Sequence, residues 1–507
     1  MTLSLTKSIA LQGLRGEIVE IEVDVSHGLP SYTLLGLPDA ALFESRDRIR
    51  AAITNSHRIW PNKKVTVALS PAWLPKSGSG FDLPIAIAIL AASEQISIAS
   101  LDRTIFIAEL ALDGSLRPIR GVLPMAIAAR SFGISRIIVA DQNYNEACLL
   151  GDLEVLRFSN LATVLHWITT GERSNSPVLE LEQSLDDEKK VDFSDVRGQR
   201  DAKLGLEIAA VGGHHAIMIG PPGTGKTMLA ERFPTILPPL EQEEAIEVTA
   251  IHSVAGVLAE RTSLNSLPPF IAPHHSTTVA AMVGGGSGQI RPGACSLAHN
   301  GVLFIDEAPE CASGILDSLR QPLESGCVSI SRAHGTISYP ARFLLILAAN
   351  PCPCGRFFGR GRSCECSSLQ VRRYLNKISG PLMDRMDIRI LVETPSRTDL
   401  AGESLEESSA VIRERVIKAR AISRDRFAGE KFRLNSQIPS DLLRSRFAAS
   451  KDAMNLLHSM VDDETLTARG FHKVIRLSWS IADIHGAQRP GLDHIRQALD
   501  LRNGLRR

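Results

Sequence analysis

Eight consecutive residues, Gly220, Pro221, Pro222, Gly223, Thr224, Gly225, Lys226 and Thr227, fill the phosphate-binding pattern G-x-x-x-x-G-K-[ST] in full. They follow a short apolar run, Ala216 to Ile219, and precede a stretch with helical spacing. The spacing therefore predicts a strand, a tight loop and a helix N-terminus. Such a loop turns backbone N–H groups toward phosphate oxygens, while the lysine adds a point charge for the β- and γ-phosphates. The Thr227 hydroxyl is placed to ligate Mg²⁺. The chemistry predicted is ATP binding. A second apolar run, Gly301 to Ile305, ends in Asp306 and Glu307. Two adjacent carboxylates at the end of a buried strand suit Asp306 to Mg²⁺, directly or through water, and Glu307 to polarising an attacking water. The competing reading makes the pair two acidic residues at a helix N-terminus, with no chemistry.

A third apolar run, Phe343 to Ala349, ends at Asn350. This resembles the strand on which AAA+ ATPases carry a polar sensor beside the γ-phosphate. Leu382-Met383-Asp384-Arg385-Met386-Asp387 resembles the arginine-finger segment of ring ATPases, and Leu466-Thr467-Ala468-Arg469 the start of a lid helix with a second sensor arginine. The resemblance implies an α/β P-loop AAA+ core with a helical lid. Each pocket would draw Lys226, Thr227, Asp306, Glu307, Asn350 and Arg469 from one subunit and Arg385 from the next. A guanidinium stays charged and spreads over phosphate oxygens, and a finger from a neighbour contributes on the order of 10³ to 10⁵ in rate. Taken singly, each arginine fits a surface ion pair as well.

Cys352-Pro353-Cys354 and Cys364-Glu365-Cys366 lie in a stretch that also carries Arg356, Arg360, Arg362, Arg372, Arg373 and Lys377. Four thiolates can close a structural Zn²⁺ site, although paired zinc ligands usually stand two or more residues apart. Free structural thiols are the alternative. Basic residues on a clipped protrusion would present charge to nucleic acid, which makes Arg356, Arg360 and Arg362 candidate DNA contacts. Arg332 and His334 join them, at the tip of a β-hairpin predicted from Val328–Arg332 and Thr336–Tyr339 around Ala333-His334-Gly335; a merely solvated tip is the rival reading. In Pro273-His274-His275-Ser276 the histidines suit metal or phosphate, or a capped turn with ordinary hydrogen bonds.

These residues need elements to hold them. A chain of 507 residues exceeds one core and predicts two or three domains. Lys plus Arg and Asp plus Glu both count 56, so no global basic field demands nucleic acid and any DNA contact is local. Eight cysteines in so long a chain do not make a disulfide framework. The start of the chain has no apolar signal segment, and the longest apolar stretch, Leu83 to Ala92, is too short to span a bilayer; a cytoplasmic, membrane-free protein is expected. Residues 1–170 mix strand runs (Ile18–Val25, Val65–Leu69, Arg136–Ala140) with helical patterns such as Asp39–Asn55, an α+β domain. Residues 171–191 read as an acidic linker, 192–395 as the ATPase core, and 396–507 as the helical lid and C-terminal helices.

Gly36-Leu37-Pro38, Arg46-Asp47-Arg48-Ile49-Arg50, Asp82-Leu83-Pro84-Ile85-Ala86, Pro273-His274-His275-Ser276, Ser296-Leu297-Ala298-His299-Asn300-Gly301 and Cys352-Pro353-Cys354-Gly355 occur together in the ComM/YifB family of magnesium-chelatase-like AAA+ proteins, which nearly the whole chain resembles. The resemblance implies a hexameric ATP-driven motor that promotes DNA branch migration. It would extend the heteroduplex as incoming single-stranded DNA recombines in natural transformation, alongside recombination proteins. The N-terminal domain is similar to the proteolytic domain of Lon. Its serine position falls on Asp82, and the segment expected to hold the lysine, Arg120-Gly121-Val122-Leu123-Pro124, is apolar there. Peptide hydrolysis is therefore disfavoured, with Ser77 and Ser79 as rival nucleophiles. Two other functions compete: a chelatase subunit inserting Mg²⁺ into a porphyrin, without the D-x-S-x-S pattern of its metal-adhesion partner, and a Lon-like protease or unfoldase.

Overall fold

The computed structural model describes the chain except residues 1, 38, 100, 173–190, 259–263, 287–289, 333–334, 358–362, 396–405 and 505–507. The sequence-predicted linker falls largely outside the described residues, as do His334, Arg360 and Arg362.

The N-terminal sheet is built from β1 (Thr2–Gln12), β2 (Arg15–Ser26), β3 (Ser31–Leu35), β4 (Lys64–Ser70), β5 (Thr104–Ile107), β6 (Arg136–Ala140) and β7 (Glu154–Phe158), in the order β3-β4-β2-β1-β5-β6-β7. Strands β2 and β4 alternate buried positions with more exposed ones, whereas β5 and β6 are buried along nearly their whole length. Its helices are α1 (Ala40–Asn55), α2 (Asp82–Ala92), α3 (Val122–Ser131) and α4 (Leu161–Thr170). The apolar stretch from Leu83 is α2, buried along nearly its whole length beneath the sheet. Asp82, at its first turn, is fully buried and accepts from Arg48 Nε at 2.8 Å and Nη2 at 3.1 Å. Burial pushes its carboxyl up to about 6 while Arg48 works against that shift. Asp82 is thus committed to an internal ion pair. Ser79 Oγ donates to Glu109, and the roughly 240 Å³ cavity holding Ser77 and Ser79 is lined by no lysine or histidine among the described residues.

The second unit holds α5 (Arg200–Gly212), β8 (Ala216–Ile219), α6 (Lys226–Arg232), α7 (Gln242–Ala255), β9 (Phe270–Ile271), β10 (Val302–Ile305), the hairpin β11 (Cys327–Arg332) and β12 (Gly335–Pro340), β13 (Leu344–Ala349), α8 (Ser368–Leu375) and β14 (Ile388–Leu391). Five strands form one parallel sheet, β9-β10-β13-β8-β14. The three inner strands β10, β13 and β8 are buried on both faces and read as continuous apolar runs rather than alternating ones. The hairpin forms where expected. The N-terminal unit seats on this one through α3 against α7, where Ser253 Oγ donates to the buried Glu146.

The C-terminal helices α9 (Ser409–Arg426), α10 (Lys451–Asp462), α11 (Ala468–Ile484) and α12 (Leu492–Asn503) share one apolar core with α5, β8 and β14. On α11 the buried face is Phe471, Val474, Ile475, Leu477 and Ile481, at helical spacing. Lys473, on the same face, pairs with Asp387 at 2.7 Å and donates to Met386 O at 3.2 Å, which ties α11 to the chain just before β14.

Candidate nucleotide site

The parallel register sets Ile219 level with Ala349 and Ile305 level with Leu347, so β8, β10 and β13 end together. Gly220 to Gly225 turn from β8 into α6. Gly225 sits at φ 89°, a left-handed conformation that a side chain disfavours, and Lys226 opens the helix. The Lys226 ammonium is buried and donates to Gly220 O at 2.7 Å, Pro221 O at 2.8 Å and Asn350 Oδ1 at 3.2 Å. Burial lowers its pKa, and the charges of Asp306 and Glu307 oppose that. Thr227 Oγ1 donates to Asp306 Oδ2 at 2.7 Å. Hydroxyl and carboxylate oxygens side by side are the donor set a magnesium ion prefers. The structure thus brings Lys226, Thr227, Asp306 and Asn350 into one cluster, with Glu307 next along the chain.

Two further residues face this cluster, one of them, His275, already noted in the sequence as a metal, phosphate or turn residue. Gln199 donates from Nε2 to Thr224 O at 3.1 Å, steadying the loop. His275 Nδ1 lies 3.3 Å from Glu307 Oε2. Of the two readings of Pro273-His274-His275-Ser276, a metal or phosphate site and a capped turn, the turn forms, with Thr277 N donating to His274 O at 2.9 Å. Periodicity carries no signal for the contact with Glu307, because it arises between neighbouring strands.

The cysteines converge as well. Sulfurs of Cys352, Cys354, Cys364 and Cys366 all lie within 4.8 Å of one another, with Cys352–Cys354 at 3.4 Å and Cys364 at 3.7 Å from both. Four sulfurs held tetrahedrally at about 2.3 Å from zinc would stand about 3.8 Å apart, so the set fits a metal. Phe357 N donates to Cys352 Sγ at 3.3 Å, as an amide does to a thiolate. The knuckle also leans on the phosphate loop: a β-carbon on Gly355 would meet the Pro222 ring at 2.6 Å, and Gly355 itself sits at φ 75°.

Arg469 is a correction. Expected at the phosphate loop of its own chain, it lies 3.7 Å from Asp384, beside Arg385. Residues 384–387 precede β14, whose Ile388 pairs with Ala216, so this is the end of the sheet opposite the phosphate loop. The Lys473–Asp387 pair anchors α11 there. Arg385 is at the same end, donating to Pro381 O at 2.7 Å and pairing with Glu324, with its Nε buried and unpartnered. Arg356 is exposed and pairs with Glu365 at 3.3 Å. Arg332 ends β11, and its side chain lies outside the described residues.

Comparison with known proteins agrees with this architecture. Residues 192–400 match "Magnesium chelatase, subunit ChlI", residues 406–502 its C-terminal region, and residues 21–143 "Subunit ChlI of Mg-chelatase". The chain is 40% identical to competence protein ComM of Haemophilus influenzae over 514 residues, covering 100% of this chain and 98% of that protein. It is also 40% identical to YifB of Escherichia coli, covering 99% and 97% respectively. The chain belongs to the ComM/YifB family. An uncharacterized protein of Mycobacterium tuberculosis is 45% identical along the full length of both chains. Membership in this magnesium-chelatase-like AAA+ family implies ATPase activity with ATP and Mg²⁺. Among the described residues no helix is long and apolar enough to cross a membrane.

Proposed function

We propose that this chain is a ring-forming, ATP-driven motor that moves branched DNA, extending heteroduplex as incoming single strands recombine during natural transformation. The observation that carries the reading is full-length similarity to a competence protein, in a chain whose phosphate loop and strand-end carboxylates form one cluster. A hexamer is the expected ring. Lys226 and the loop amides bind the phosphates, Glu307 takes the proton of the attacking water, and Asn350 orients around the γ-phosphate. Mg²⁺, held by Thr227 and Asp306, would neutralise phosphate charge. Arg385 and Arg469, both remote from their own phosphate loop, serve the pocket of the adjacent subunit. Zn²⁺ on the four cysteines would brace the knuckle against Pro222, with Arg356, Arg360, Arg362, Arg332 and His334 contacting the DNA backbone. The location is cytoplasmic, and recombination proteins are partners.

The test is ATP turnover and strand exchange on four-way-junction DNA across a salt series, with Glu307→Gln beside the wild type. The motor predicts DNA-stimulated turnover that weakens with salt, and a variant that binds ATP yet moves no junction. Turnover indifferent to DNA but raised by a porphyrin would favour a chelatase subunit instead.

A further inference from the structure

Glu307 has one neighbour whose place the fold determines. β9 and β10 pair in parallel, Phe270 opposite Val302 and Ile271 opposite Leu303, so the segments that leave the two strands, carrying His275 and Glu307, emerge side by side. Side chains complete what the register begins: His275 Nδ1 lies 3.3 Å from Glu307 Oε2, and no other described side chain comes within ion-pair reach of that carboxylate. The glutamate needs such a partner. It leaves β10 at φ 48°, a left-handed conformation that a non-glycine residue rarely adopts. It is also 49% exposed, and an exposed glutamate left alone would spread over many rotamers. His275 is itself held. Its ring lies 4.0 Å from that of His274, whose Nδ1 is 2.8 Å from Ser276 Oγ.

We infer that His275 is the positioning residue for hydrolysis, its Nδ1 fixing the Glu307 carboxylate where it meets the attacking water. In the step served, the water oxygen bonds to the γ-phosphorus, the bridging P–O bond breaks, ADP leaves with the electron pair, and the water proton passes to Glu307. The inference rests on the reading of Glu307 as the residue that activates water. His275 touches neither phosphate nor water and acts through Glu307 alone.

Steady-state ATP hydrolysis by the assembled protein tests this without DNA. His275→Ala should lower kcat on the order of 10- to 100-fold with KM for ATP unchanged. His275→Asn, which keeps an N–H donor at the place of Nδ1, should recover most of that loss; His275→Gln, whose amide reaches farther, should not. In a Glu307→Gln background, His275→Ala should cost nothing more. Full kcat in His275→Ala, an equal loss in the Glu307→Gln background, or a change in KM alone would overturn the inference. Wild-type turnover by Glu307→Gln alone would instead overturn the role of Glu307 beneath it. Thermal melting of each variant separates misfolding from misplacement, since a folded His275→Ala with unaltered Tm must still lose kcat.

Discussion

Lys226 spends its donors on the loop carbonyls and Asn350, three oxygens that a phosphate would replace as partners. Charge-assisted hydrogen bonds contribute about 1.5 to 3 kcal/mol each, so Lys226→Ala should weaken ATP binding by a hundredfold or more in calorimetric titration. Glu307→Gln should leave binding intact. These residues were legible in the sequence because loop chemistry demands fixed types at fixed spacing. His275 was legible as a metal, phosphate or turn residue but not as the partner of Glu307, since spacing along one segment does not encode what stands beside it in the fold. Asp82 is a different case. Its place in a protease-like segment suggested lost chemistry, and the structure shows the carboxylate's present task, a buried pair with Arg48. Removing one partner of a buried pair typically costs about 3 to 5 kcal/mol; because Arg48 is partly exposed, Asp82→Ala should fall at the lower end in chemical denaturation and yield no peptidase.

Two elements carry positions that no single residue explains. The cysteine knuckle stacks on the phosphate loop through Gly355 and Pro222, so losing its metal should be felt at the nucleotide. Elemental analysis should find about one zinc per chain, and Cys364→Ser or chelation should lower ATP affinity while the N-terminal unit stays folded. Normal ATP binding after metal loss would refute the brace. The second element is α11, anchored by Lys473 on Asp387. Burial by itself would raise the Asp387 carboxyl, but the Lys473 charge and the hydrogen bond with His214 hold it well below its ordinary value of 3.8. A depressed carboxyl contributes stability that is fully present above the ordinary value and lost as pH falls beneath it. Melting of the C-terminal helices should therefore turn acid-sensitive below about pH 4, and Lys473→Met should lessen that added sensitivity, the part owed to His214 remaining. Elements with strong period, α1, α11 and the sheet strands, were legible from the sequence. β1 was not singled out, and two-residue β9 is too short to show any period. Arg469 was placed on the correct helix start but the wrong side of the sheet, which a buried ion pair one helical turn along α11, Lys473 to Asp387, decides.

At the scale of the whole molecule, the phosphate loop and the two arginines occupy opposite ends of one parallel sheet. A single chain cannot bring them together without dismantling its core, whereas the proposed head-to-tail ring would appose them at each interface. Arg385 is paired with Glu324 in the single chain, and on the proposed function it would exchange that partner for a neighbour's phosphates. The most direct measurement mixes two inactive variants, Lys226→Ala, which lacks a working loop but keeps Arg385, and Arg385→Ala, which keeps its loop. The account predicts that neither hydrolyses ATP alone and that the mixture recovers activity, because each Arg385→Ala pocket beside a Lys226→Ala subunit is complete. A mixture no more active than its parts, or full turnover by Arg385→Ala alone, would contradict it.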